Sequence, residues 1–134
     1  MTDPHRALIL TMVLVSAADG NMTDAELKTI GDNVKVLQAF RGFDQSKLTN
    51  VAQECVQLLG EADGLDAAVS RIRDALEPRL RETAFALACD IVLADERTSR
   101  EEMRFLQIIR DGLDIDPLVA MAIERGSRAR HAKL

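Results

Sequence analysis

The chain has 134 residues and a mass of 14.8 kDa, room for one domain with a substantial core. Its 47% hydrophobic and 29% charged residues are those of a folded globular protein, not of a disordered one. With no Trp, no Tyr and only four Phe, the core must be aliphatic, and seven Gly with three Pro supply too few turns for an all-β design. A formal charge of −5, with few aromatic rings on which bases could stack, argues against a nucleic-acid surface. That charge is unevenly spread. Arg125, Arg128, Arg130 and Lys133 crowd the last ten residues, leaving 13 basic against 22 acidic side chains in residues 1–124, a charge of −9.

In chain order the helical signals are dense. Asp3-Pro4 supplies an N-cap followed by proline at the first helical position, and an apolar run then extends to Ala18, with Gly20 as the expected C-cap. The run is too short to span a bilayer, which takes about 20 residues. Although His5 and Arg6 precede it, Asp3 lies in what should be a basic leader and the same apolar pattern recurs at Thr83–Ala94, so it reads as a buried helix of a cytoplasmic protein. A second helix from Thr23 buries Leu27, Ile30, Val34 and Leu37 and breaks at Arg41-Gly42. A third runs from about Asp44 to Gly60 with Leu48, Val51, Cys55, Leu58 and Leu59 on one face. Asp63-Gly64 turns the chain into a fourth helix carrying Leu65, Val69, Ile72 and Leu76. Pro78 opens a fifth, apolar through Leu93, and Ser99 a sixth, with Met103, Leu106, Ile109 and Leu113 facing inward. Asp116-Pro117 repeats the cap-plus-proline start for a short seventh, and from Gly126 the chain reads as a frayed basic end. The expectation is an all-α domain of about seven helices over residues 1–126, followed by a basic tail over 127–134.

The chain also repeats itself. Displaced by 76 residues, ADGNMTDAELKTI at Ala18–Ile30 lies on ADERTSREEMRFL at Ala94–Leu106. Ala18/Ala94, Asp19/Asp95 and Glu26/Glu102 are identical, and an apolar helix precedes each copy. Two pseudo-symmetric helix–loop–helix halves follow, with the first and fifth helices adjacent at the centre.

The repeated acids have two explanations. Thr23-x-x-Glu26 and Ser99-x-x-Glu102 both fit the capping box, which accounts for the glutamates without a ligand. It does not account for Asp19 and Asp95, which close apolar helices at the negative ends of their dipoles, where an anion costs about 0.3–1 kcal/mol. Asp19, Glu26, Asp95 and Glu102 therefore form a candidate set for a divalent cation held through oxygen. Such a set suits Ca²⁺, Mg²⁺ or Mn²⁺ best, with Zn²⁺ also able to take carboxylates. An EF-hand is excluded by Asp24 and Ile30 at its glycine and glutamate positions. Asp90, alone in an apolar helix, is either a further ligand or a polar spot at a helix junction.

Enzyme chemistry finds little material. His5 and His131 stand at opposite ends of the chain, and there is no phosphate loop and no nucleophile elbow. Cys55 and Cys89 sit in separate apolar patterns and read as buried, reduced thiols.

AADGNMTDAEL at Ala17–Leu27, ALACDIVLADERTSREEMRFL at Ala86–Leu106 and LDID at Leu113–Asp116 resemble the tellurite-resistance TerB family. The resemblance covers nearly the whole chain. It implies a seven-helix pseudo-symmetric domain with a metal-binding acidic cluster, its paired motifs falling on Asp19/Glu26 and Asp95/Glu102. Glu96 stands where the family usually has glycine, a departure at the second turn. The implied function is a non-enzymatic stress-response domain that binds a divalent metal. The alternative is a metal-free interaction module, or co-chaperone-type scaffold, whose acidic face docks a protein partner. The basic tail adds the option of a peripheral membrane contact.

Overall fold

The computed structural model describes residues 3–17, 22–94 and 99–134. Among them are seven α-helices and no strand: α1 (Pro4–Ser16), α2 (Asp24–Val36), α3 (Leu48–Leu59), α4 (Gly64–Ala75), α5 (Pro78–Ala94), α6 (Arg100–Gly112) and α7 (Pro117–Arg130). Short 3-10 turns at Gln38–Phe40 and Gln45–Lys47 link α2 to α3.

Local chemistry starts most of these helices. The Asp3 carboxylate accepts the Arg6 N–H at 2.9 Å ahead of Pro4, and Asp116 accepts the Leu118 and Val119 N–H groups ahead of Pro117. Asp63 adopts a left-handed conformation (φ 57°) before α4. Gly64 then passes so close to the carbonyls of Leu58 and Leu59 that a Cβ there would collide with backbone.

Packing assembles the helices around α1. Its residues from Ala7 to Ser16 are all buried, so it has no solvent face over that stretch. It packs most extensively on α5, as the sequence implied for the first and fifth helices, and also on α3, α4 and α6. One cluster of buried aliphatic residues runs through the molecule, with Phe85 the largest side chain in its interior. At the α4–α5 turn, Arg81 donates to the carbonyls of Arg73 and Leu76, closing the end of α4.

Four sequence expectations change. α1 gives way at Ala17, and the Gly20 cap lies outside the described residues. α2 stops at Val36 because Leu37 turns extended, well before Arg41-Gly42. The turn that follows buries Phe40, whose ring lies 5.8 Å from His5 and 6.1 Å from Phe43. Asp44 caps a 3-10 turn, and α3 proper begins only at Leu48. The frayed end expected from Gly126 is instead ordered helix to Arg130, with Ser127 fully buried.

Candidate functional site

Both repeats build the same local device. Glu26 N–H donates to the Thr23 hydroxyl at 3.1 Å, while Thr23 N–H and hydroxyl donate to Glu26 Oε1 at 3.3 and 3.0 Å. At the start of α6, Glu102 N–H donates to the Ser99 hydroxyl at 3.0 Å and Ser99 N–H donates to Glu102 Oε1 at 3.2 Å. These are two capping boxes 76 residues apart, each fixing a half-buried glutamate beside the segment that carries its paired aspartate. Asp19 and Asp95 themselves lie outside the described residues. Among the described residues, no three His, Cys, Asp or Glu side chains gather as a metal would require.

The donor chemistry is compatible with a hard cation all the same. The caps engage Oε1 of Glu26 and of Glu102, and a carboxylate has about four acceptor positions over its two oxygens. Capping and cation binding by one glutamate are therefore not exclusive. A second observation lies at the end of α1. Ser16 Oγ is buried without a hydrogen-bond partner among the described residues, three positions before Asp19. Native structures seldom bury a hydroxyl so.

Asp90 resolves differently. Its Oδ1 accepts from the Ser127 hydroxyl at 2.7 Å and from the Arg130 guanidinium at 2.5 Å. It is the polar junction of α5 with α7. The repeat has Leu14 at the equivalent position of α1, so this acid has no symmetry partner.

Neither thiol is poised for chemistry. Burial pushes Cys55 up to about 11, with Glu54 adding to the effect, and Cys89 up to about 12, with Glu124 and Asp90 adding. Both are free and buried. The histidines are far apart in role as well: His5 packs between Phe40 and Phe43, and His131 Nδ1 lies 2.8 Å from the Ser127 carbonyl oxygen.

Residues 5–124 match the family described as "Tellurite resistance protein TerB". The chain belongs to the TerB family. No curated protein and no solved structure gives a significant match.

The sequence reading assigned Met103 to the core, yet it is 41% exposed. It stands on a face of α6 with Arg100, Arg104 and Arg110, a grouping the hydrophobic pattern passed over. The i, i+4 pair of arginines was the available signal, since like charges at that spacing weaken a helix.

Proposed function

We propose that this TerB-family domain acts without catalysis, as a cation-responsive scaffold of a cytoplasmic stress response, with Asp19, Glu26, Asp95 and Glu102 holding a divalent ion. The observation that carries the reading is the pair of matched capping boxes: two half-buried carboxylates fixed at the starts of α2 and α6, each seven residues after an aspartate. The Ser16 hydroxyl, without a partner among the described residues and three positions before the first aspartate in sequence, supports it. All donors are hard oxygens, which favours Ca²⁺, Mg²⁺ or Mn²⁺ over softer ions. A bound ion would supply charge neutralisation, joining two segments whose aspartates otherwise repel. Two buried thiols held protonated are poorly suited to reducing an oxyanion such as tellurite, which supports binding as the domain's part in such a response.

The test is thermal unfolding with and without Ca²⁺, Mg²⁺, Mn²⁺ and Zn²⁺, followed by calorimetric titration. An ion that binds only the native state adds about 2.7 kcal/mol at a hundredfold excess over Kd. Asp19→Asn with Asp95→Asn should abolish that gain without lowering the cation-free stability. Glu26→Gln with Glu102→Gln should weaken cation binding while keeping the caps, since Gln also serves at that position. A metal-free interaction module is the rival reading, favoured by the caps themselves, which explain both glutamates without a ligand. It prevails if neither double variant alters the response to any of the four ions.

A further inference from the structure

We propose that the groove flanked by α6 and α7 binds an acidic amphipathic helix of a partner protein. Its charge is the opposite of that of the paired acids, and Ser99, which caps Glu102, stands at its edge. α6 and α7 both pack on α5, and between them opens a groove of about 490 Å³. Arg100, Arg104, Arg110, Met103 and Gln107 of α6 line it, with Glu124 on the α7 side. Three arginines against one glutamate make a local positive surface on a chain whose formal charge is −5.

Stability does not explain this face. Arg100 and Arg104 stand one turn apart, where like charges destabilise a helix, and neither forms an ion pair among the described residues. Among the described residues Arg110 reaches only its neighbour Asp111, at 3.4 Å. The apolar part is equally uneven. The exposed large hydrophobic side chains within the described helices are Val36, Val56, Met103, Leu118 and Met121, and the last three belong to α6 and α7. Met121 is 66% exposed and lies one turn from Glu124, so apolar surface continues from the groove onto α7. Exposed methionines adapt to varied apolar partners, and arginines grip carboxylates with paired donors.

The occupant follows from that chemistry. A cleft with Met103 and Leu106 as its apolar part and a basic wall on α6 fits a helix presenting leucine-type side chains beside Asp and Glu. A membrane would meet a flat surface more readily than a groove. A nucleic acid would meet a net acidic chain, whose residues 1–124, the groove included, carry −9.

The test uses the full chain, isotopically labelled for amide NMR. The probe is a synthetic amphipathic peptide with Leu on one face and Glu on the other. Matched probes are the same peptide with Lys for Glu, phosphatidylserine vesicles and single-stranded DNA. The acidic peptide should shift amides of residues 99–110 and around Glu124, and its Kd should rise with salt. Arg100→Glu with Arg104→Glu should weaken binding by about tenfold or more, while circular dichroism and Tm show the fold retained. Met103→Gln should weaken it with no change in salt dependence. The proposal is overturned if the acidic peptide leaves these amides unmoved, binds the double variant equally well, or is matched by the Lys peptide. Tighter binding to vesicles or DNA at the same residues overturns it in favour of that ligand.

Discussion

Thr11 and Ser16 are both buried hydroxyls on α1, and only one is satisfied. Thr11 donates to the Ala7 carbonyl at 2.8 Å, while Ser16 has no partner among the described residues. An unsatisfied buried hydroxyl costs about 1–3 kcal/mol. Ser16→Ala should therefore raise the cation-free stability, read as a higher Tm, whereas Thr11→Ala should not. A lower Tm for Ser16→Ala would mean that the hydroxyl is engaged with the segment beyond Ala17. The thiols set a second prediction. Unfolded, Cys55 and Cys89 return to an ordinary thiol pKa of about 8.5, whereas folded they titrate at about 11 and about 12. Between those values the unfolded chain holds fewer protons than the native one, so stability falls as pH rises. It is fully present below about pH 8 and is lost progressively from about pH 9 towards pH 12. Urea titrations across pH 7–11 should show this fall reduced in a Cys55→Ala, Cys89→Ala variant. An identical alkaline slope in wild type and variant would assign the loss to other groups.

At the scale of elements, the caps give the clearest prediction. Thr23→Ala and Ser99→Ala each remove the hydroxyl that receives the N3 amide, and each should cost about 1 kcal/mol in urea unfolding. A loss under a few tenths at both sites would mean that the loops cap these helices by other means. α7 depends on a tertiary lock instead. Asp90→Ala strands the buried Ser127 hydroxyl and releases Arg130, so amide protection over residues 126–130 should fall while α6 keeps its own. These contrasts also explain what was legible in the sequence. Starts made by contiguous residues, as at Asp3-Pro4, Thr23, Ser99 and Asp116-Pro117, are written locally and could be read. The end of α7 could not, because Gly126 is a local stop signal that the Asp90–Ser127 contact overrides from 37 residues away. α2 ends at Val36, ahead of the Arg41-Gly42 pair, where Leu37 turns extended and the following turn buries Phe40. For the candidate site, the spacing revealed the two glutamate caps. It carries no information on the distance between the repeats, since a sequence period fixes order and not separation. The arginine pair of α6 was visible in the sequence but the groove was not, because the groove forms only where α6 and α7 both pack on α5.

Across the whole molecule, burial is graded from the centre outward, and stability should follow the same grading. α1 has no exposed residue from Ala7 to Ser16 and touches α3, α4, α5 and α6, so it cannot be released while the rest stays packed. α7 packs chiefly on α5, buries only Ala120 and Ser127, and presents Leu118 and Met121 to solvent. A segment with few buried contacts opens at a lower free energy than the global transition. Native-state hydrogen exchange should therefore find the slowest amides in α1 and the adjoining part of α5, exchanging only through global unfolding. Those of α7 should exchange earlier, through a local opening insensitive to low denaturant. Truncation in the centre tests the same hierarchy. Leu10→Ala or Leu87→Ala, each at sites 3% exposed, should cost about 2–5 kcal/mol with an unchanged denaturant slope, because each deletes packing from the cooperative unit. These variants should speed exchange in α1 by the full loss of stability. Exchange through the local opening of α7 should change much less, since that opening leaves the α1–α5 core packed. Equal acceleration in α1 and α7 would show that the helix opens only with the whole molecule, and a loss under 1 kcal/mol at both leucines would remove α1 from the centre of its stability.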